Sequence, residues 1–586
     1  MNRLLYQLAR LGDISWLSFH FAEFIAIQAQ TTIDDPLCLS VAMLCEANQQ
    51  GSVCIDLAEL GGKPMFTSAG IETELIPTAA QAAAWCDQLR ASDCVGEPGA
   101  LAPLTLEGNR LYLNRFWFYE DFVASKIQLL LAQVGATEYA EVETAFDSIF
   151  ADLAGVDQDQ KQAVLTAASK SFSVISGGPG SGKTSTVVRI LSLLLALNPD
   201  CRIALAAPTG KAAARMMDSI RERIGDLDID EAIKNAVPVE ARTIHRLLGY
   251  RRHGFEYDAS HPLPFDCIIV DEASMVDLKL MFHLLAALPQ RTQLILLGDR
   301  DQLASVAAGN VLGDITGHGH SMDAGASALS SSIALLRSNY RFGEQTAIGE
   351  LASLVNQGQS SAALDLLKQN QRGLRWFKDQ PDRIHAQALE WIYDAYQPIF
   401  SSKSPGDALD SYESTRVLCA TNRGPLGVQA LNHMISSALL ARNDLAETEL
   451  YHGLPIMITR NQHELGLYNG DSGILWRHEH GLRACFRHGV DGIHDLAINR
   501  LPGFVPAWAS TVHKSQGSEF DSVLLVMPSD PDSEALSREL IYTAVTRARQ
   551  SFILHGAARV MTNAIEKLSR RHSGLSHKLG WPDLIV

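Results

Sequence analysis

The chain has 586 residues, is 46% hydrophobic and 20% charged, and carries a formal net charge of −17. That length implies several domains, about three or four, and the absence of any apolar run near the ~18 residues of a membrane span excludes a helical membrane protein. The acidity argues against a chain that is basic throughout, but it is unevenly spread: Met1 to Phe150 holds 19 Asp/Glu against 7 Lys/Arg, a net of −12 out of −17. A local basic groove for a phosphate backbone is therefore open only to the later residues.

Residues 1–150 are predicted to form an acidic N-terminal domain of mixed, mainly helical structure. Met1-Asn2-Arg3-Leu4-Leu5 leads into an amphipathic pattern rather than a secretory core with a cleavage site, so a cytoplasmic address and no membrane partner are expected. Leu4 to Ala29 reads as one or two helices, and Asn109 to Leu113 alternates like a strand. Phe116-Trp117-Phe118-Tyr119 is a dense aromatic cluster, which suits either a private core or a docking surface for another protein. Five of the nine cysteines, Cys38, Cys45, Cys54, Cys86 and Cys94, fall here. With no C-x-x-C, reduced core thiols are expected, and an N-terminal metal site is the alternative.

From Val156 the texture becomes short apolar runs alternating with helical stretches, the pattern of parallel sheets covered on both faces. Runs at 173–176, 203–207, 267–270 and 293–297, then 417–420, 523–527 and 552–554, give two α/β units, 151–345 and 346–586. A small β insertion is expected at about 474–507, a hairpin at about 249–264, and surface loops at 317–332 and 401–412.

In chain order, the first chemical signal is Gly177-Gly178-Pro179-Gly180-Ser181-Gly182-Lys183-Thr184, between the apolar run Phe172 to Ile175 and a helical pattern at Val187 and Val188. G-x-x-x-x-G-K-T after a strand and before a helix is a phosphate-binding loop. Backbone N–H groups and the helix N-terminus face the β- and γ-phosphates, Lys183 adds a charge, and the Thr184 hydroxyl can ligate Mg²⁺. Pro208-Thr209-Gly210-Lys211 follows a second strand. Thr243-Ile244-His245-Arg246 and Thr511-Val512-His513-Lys514 share its character of small, hydroxylic and basic residues at strand ends. Each also fits an ordinary polar turn; together they fit a track for single-stranded nucleic acid.

Ile268-Ile269-Val270-Asp271-Glu272 is a strand ending in two carboxylates, Asp271 for Mg²⁺ and Glu272 for the attacking water. Gln302, after Leu296-Leu297-Gly298-Asp299, can report a γ-phosphate or be a buried amide held by structural bonds. Tyr340 can stack on a base, and Arg341 and Arg547 can neutralise charge on the transferring phosphoryl group.

This ordered set resembles the superfamily 1 helicases: Asp159-Gln160-Lys161-Gln162, the phosphate loop, Val270-Asp271-Glu272-Ala273, Gly298-Asp299-Arg300-Asp301-Gln302, Asn339-Tyr340-Arg341, His513-Lys514-Ser515-Gln516-Gly517 and Thr546-Arg547-Ala548-Arg549. Ile175-Ser176-Gly177-Gly178-Pro179-Gly180 and Leu467-Tyr468-Asn469-Gly470-Asp471 are similar to its RecD branch, the α subunits of the RecBCD (exonuclease V) complex. The resemblance implies two RecA-like lobes, an SH3-like fold for the insertion, and ATP with Mg²⁺ bound between the lobes. It implies that Gln160 reads adenine, Tyr340 stacks on it, Glu519 binds ribose and Arg547 is an arginine finger. It further implies 5′-to-3′ DNA unwinding from duplex ends in recombinational repair, RecB-like and RecC-like partners in a heterotrimer, and docking by the N-terminal domain. An ATP-gated structural subunit that tracks no strand, and a stand-alone RecD-like helicase, remain as alternatives. The hairpin at 249–264 is a candidate strand separator or a plain surface hairpin.

Overall fold

The computed structural model describes residues 4–68, 70–133, 137–150, 157–227, 229–251, 254–317, 328–338, 346–378, 382–445, 448–479, 481–488 and 492–582. A six-stranded parallel sheet organises the first lobe, in the order Ile333–Leu336, Phe172–Gly177, Gln293–Gly298, Cys267–Val270, Ile203–Ala207, Ala241–Thr243. Its strands read as continuous apolar runs because both faces are covered. Val174, Ile268, Leu294 and Leu296 enter one core, while Ile175, Ile269, Ile295 and Leu297 enter the other. The phosphate loop, Asp271 and Asp299 all leave this sheet at the C-terminal ends of neighbouring strands, the edge where open α/β sheets bind ligands.

The second lobe is a five-stranded parallel sheet, Leu374–Phe377, Ala548–His555, Phe520–Val526, Thr415–Cys419, Ala509–Thr511. From it projects a five-stranded antiparallel sheet, Gly492–Ala497, Gly481–His488, Ser472–His478, Pro455–Ile458, Phe504–Pro506. The insertion thus starts near 455 rather than 474. Pro455-Ile456-Met457-Ile458 is buried throughout, so it shows no alternation to mark it as part of an antiparallel sheet.

Two further boundaries move. The acidic domain proper is helices Leu4–Leu11, Trp16–Gln28 and Pro36–Gln49 on a small sheet, Cys54–Asp56, Arg110–Leu113, Leu104–Glu107, Val95–Gly96. Residues 114–150 belong with the first lobe: Val123, Ile127 and Leu130 of helix Asn114–Ala132 share a core with its sheet, and Val142 and Phe146 pack on its other face. The aromatic cluster meets that lobe, with Tyr119 and Phe122 rings 4.6 and 4.8 Å from Phe282. At the other end, the residues beyond helix Ala558–Glu566 leave the second lobe and cross the acidic domain and first lobe. Val53 N–H donates to His572 C=O, Arg570 pairs with Glu59, Lys578 with Glu107, and Trp581 Nε1 donates to Ile315 C=O.

The loop expected at 401–412 contains helix Pro405–Ser414, capped by the Ser404 hydroxyl with Pro405 in its first turn and Asp407 beside it. Those are helix-start signals that a reading of Ser/Gly/Pro content as loop overlooks. The expected hairpin is short, Tyr250–Arg251 against Gly254–Phe255, with an Arg251–Glu256 ion pair at its base. Of the 317–332 loop, residues 318–327 lie outside the described residues, and Ser330–Ser332 is a 3₁₀ turn.

Candidate functional site

A cleft of about 640 Å³ opens between the two lobes, lined by Gln160, Lys183, Thr184, Asp271, Glu272 and Gln302 on one side and Glu519 and Arg547 on the other. The phosphate loop reaches it through Gly182, whose φ of 85° is left-handed backbone and caps helix Lys183–Leu197. Lys183 Nζ donates to the carbonyls of Gly177 (2.5 Å) and Gly178 (3.1 Å), while the buried Ser181 hydroxyl has no hydrogen-bond partner among the described residues. An ammonium folded onto its own loop beside an unsatisfied hydroxyl and a helix N-terminus is an anion cradle.

Asp271 and Glu272 follow the Cys267–Val270 strand directly. Glu272 takes φ 52°, ψ 39°, a left-handed conformation that non-glycine residues rarely adopt and that clusters at functional sites. The Glu272 N–H donates to Asp271 Oδ1 at 2.8 Å. Loss of solvation in the cleft, then Glu272, pushes the Asp271 carboxyl up to about 6, with Lys183 opposing. The Thr184 hydroxyl and this carboxylate are hard oxygen donors in one cleft, a set that fits Mg²⁺.

Gln302 is buried; its Nε2 donates to Asp299 Oδ2 at 2.9 Å, and its Oε1 has no partner among the described residues. Asp299 also accepts from the Tyr542 hydroxyl of the second lobe at 3.2 Å, and burial pushes its carboxyl up to about 6. Two more bonds cross at the same point: Thr543 Oγ1 accepts from Leu303 N–H at 3.0 Å, and Gln516 Nε2 donates to Leu303 C=O at 2.7 Å.

Arg547 is buried and donates to the carbonyls of Thr543 and Ser518; burial lowers its pKa while Glu272 and Glu519 oppose. Glu519 bridges the lobes, paired with Arg215 at 2.6 Å and with Arg549 at 3.3 Å. Tyr340 and Arg341 lie outside the described residues.

The nine candidate nucleic-acid residues are not all brought together. Pro208, Thr209, Gly210 and Lys211 open helix Gly210–Gly225, with the Thr209 hydroxyl as its cap. Lys211 is exposed; crowding by the surrounding protein, then Arg416, pushes its ammonium below the usual lysine range. Thr243 caps the next turn, Arg246 reaches Tyr468 of the second lobe at 3.4 Å, and His245 stands edge-on to Tyr250 of the hairpin. Thr511 and Lys514 line a separate cavity of about 750 Å³ between helix Val428–Arg442 and the Phe504–Pro506 strand. His513 is half-buried within electrostatic reach of Arg571; burial foremost lowers its pKa.

Sequence reading passed over Asp299, Tyr542 and Arg215 as site residues. Asp299 could have been found from its place at the end of a buried strand, the same design as Asp271. Tyr542 and Arg215 sit mid-pattern in helices and carry no local signal.

Among the described residues, His478, Cys485 and Asp495 form a group with metal-ligating atoms within 4.8 Å of one another. Arg483 already holds Asp495 at 2.7 Å, so the group is an ion-paired patch of the insertion. No group of N-terminal cysteines appears among the described residues; Cys38, Cys45, Cys54, Cys86 and Cys94 are buried thiols. No helix of the described residues is long and apolar enough to cross a membrane.

Three families match the chain by description: an AAA domain over residues 160–308, the N-terminal domain of RecBCD enzyme subunit RecD over 10–112, and a UvrD-like helicase C-terminal domain over 506–554. The RecBCD enzyme subunit RecD of Mycolicibacterium smegmatis is 36% identical over 96% of this chain and 96% of its own length. That of Haemophilus influenzae is 31% identical over 99% of both. The ATP-dependent RecD2 DNA helicase of Deinococcus radiodurans is 30% identical, over 78% of this chain and 57% of its own length.

Proposed function

The chain belongs to the RecD family of RecBCD enzyme subunits, and from that premise we propose that it is an ATP-dependent DNA helicase moving 5′ to 3′ along one strand within a heterotrimer with RecB-like and RecC-like partners. The observation that carries the reading is the single cleft shared by Lys183, Glu272 and Gln302 of one lobe with Glu519 and Arg547 of the other.

In this reading the phosphate loop and Lys183 hold the β- and γ-phosphates. Glu272 orients a water and takes its proton as the water oxygen bonds to the γ-phosphorus and the bridging bond to ADP breaks. Arg547, with Arg341, neutralises the charge on the transferring group. Thr184 and Asp271 would hold Mg²⁺, which when bound supplies charge neutralisation on the phosphate oxygens. The Oε1 of Gln302, without a partner among the described residues, is the element that senses the γ-phosphate. Its bonded neighbours Asp299 and Leu303 carry that state to Tyr542, Thr543 and Gln516 of the second lobe. Opening and closing the cleft would then move the segments at Pro208, Thr243 and Thr511 along DNA. A site of this kind acts on DNA ends in recombinational repair, and exonuclease chemistry belongs to a partner.

The test is nucleotide turnover by the assembled complex with and without single-stranded DNA, and unwinding of a 5′-tailed duplex. Lys183→Gln is expected to abolish DNA-stimulated hydrolysis by this subunit while leaving assembly intact. Normal turnover in that variant would refute the site. Turnover that single-stranded DNA does not stimulate would favour an ATP-gated structural subunit instead.

A further inference from the structure

Gln160 and Arg189 meet in the nucleotide cleft, from helices Gln158–Ser169 and Lys183–Leu197. Gln160 is 6% exposed, and its Oε1 accepts from Arg189 NH1 at 2.6 Å. Its Nε2 donates to the Ser181 carbonyl at 3.4 Å, a long bond that uses one amide N–H and leaves the other for a ligand.

A carboxamide is almost isosteric about its end, so only hydrogen bonds decide which side is oxygen and which is NH₂. A guanidinium has five donors and no acceptor. Beside Arg189 the oxygen is therefore the only stable choice, because the flipped amide would set NH₂ against a cation that can accept nothing. We propose that Arg189 is a specificity-determining positioning residue: by pinning Gln160 Oε1 it fixes the edge shown to the purine and so selects adenine over guanine. The proposal rests on the cleft being the ATP site, with Gln160 at the base.

The chemistry of the two purines supplies the discrimination. Both present N7 as an acceptor, but the 6-position is an N–H donor in adenine and an oxygen acceptor in guanine. A Gln side chain reads adenine by donating from Nε2 to N7 and accepting at Oε1 from N6. The second lone pair of Oε1 remains for that bond while Arg189 occupies the first. Guanine would bring its O6 against the pinned Oε1, leaving two acceptors facing each other. Freed to flip, the amide would offer NH₂ to O6 and the preference would fade.

The experiment is steady-state hydrolysis of ATP and of GTP by the assembled complex, with partner ATPase sites inactivated and single-stranded DNA present. The readout is the ratio of kcat/KM for the two nucleotides, which does not depend on the fraction of active protein. Arg189→Met, which keeps the aliphatic stem, is expected to lower the ATP-over-GTP ratio about tenfold or more, chiefly through KM. Arg189→Lys, which keeps a donor-only group, is expected to recover most of it. In a Gln160→Glu background both side-chain oxygens accept and orientation no longer matters, so adding Arg189→Met should change the ratio little. An unchanged ratio in Arg189→Met, or an equal fall in the Gln160→Glu background, would overturn the inference while leaving the ATP-site reading standing. A parent complex whose turnover is insensitive to Lys183→Gln would remove that reading itself.

Discussion

Replacing Asp314 by Asn should make the chain more stable at neutral and alkaline pH and flatten its pH dependence. Asp314 lies within the short helix Val311–Ile315 of the first lobe, where the C-terminal tail crosses it. Its Oδ1 takes a 3.4 Å contact from the Ser576 hydroxyl, while Oδ2 is shut off from solvent with no hydrogen-bond partner among the described residues. Burial, then the neighbouring Glu120, pushes this carboxyl up to about 8, against weaker opposition from Ser573, Ser576 and Arg571. The folded state therefore holds the Asp314 proton more tightly than the unfolded chain, in which aspartate titrates near ~3.9. Stability from this group is complete below about pH 4, is lost as pH rises, and levels off above about pH 8. The slope for one such group approaches about 1.4 kcal/mol per pH unit inside that window. The buried Glu120, also pushed up chiefly by burial, adds a slope of the same sign. An amide fills the same volume and never ionises, so Asp314→Asn should match the parent near pH 4 and exceed it by a few kcal/mol, as an upper bound, near pH 8. Hydrogen exchange of the 570–582 tail, corrected for intrinsic rate at each pH, reads the opening that matters in a multidomain chain. Equal slopes in parent and variant between about pH 5 and about pH 8 would refute the assignment.

Tyr542→Phe removes the interlobe bond to Asp299, a hydroxyl bonded to a carboxyl, worth about 1.5–3 kcal/mol when the acceptor is charged. The KM for ATP should rise several-fold in DNA-stimulated turnover with the thermal unfolding midpoint of the second lobe nearly unchanged. Gly210→Val tests the approach of the first lobe to the loop between the first two strands of the insertion, Pro455–Ile458 and Ser472–His478. A Cβ at Gly210 would lie 2.8 Å from the Tyr468 ring, so valine must push the two apart. Affinity for a labelled single strand, read by fluorescence anisotropy, should fall, while nucleotide affinity should not.

What was legible in the sequence was whatever depends on neighbours along the chain. The phosphate loop, Asp271 and Gln302 each follow a buried strand within a few residues, so an apolar run and a turn announce them. Contacts set by folding back were hidden. Arg215 and Glu519 are 304 positions apart by number and meet at 2.6 Å, yet each looks like any charged residue of its own segment. Helix Asn114–Ala132 read as part of the acidic domain because its aromatic cluster says only that the face is apolar, not which core receives it. The tail after Glu566 gave even less warning: Arg570, Arg571 and Lys578 are an ordinary basic end until Glu59, Ser305 C=O and Glu107 are placed opposite them.

The loop from Gln302 to Gly309 explains why these long-range contacts matter to the cleft. Its first end is held by the second lobe, through Thr543 and Gln516 on the two sides of the Leu303 peptide. Its far end is held by the tail and the acidic domain: Arg571 NH1 donates to the carbonyls of Ser305, Ala307 and Gly309, and Gly309 N–H donates to Gly51 C=O. A shift of Gln302 toward a γ-phosphate must therefore either lengthen bonds to the second lobe or pull on a segment tied to the acidic domain. The bonds from Leu303 and Asp299 to the second lobe are buried, and a buried bond costs more to break than a solvated one, which can exchange with water. Small movements at Gln302 are thus transmitted more readily across the cleft, where Tyr542 and Thr543 sit on a movable lobe, than absorbed at Arg571. In the proposed cycle the acidic domain and tail, tied to this loop at Arg571 and Gly51, would be the frame against which the second lobe moves.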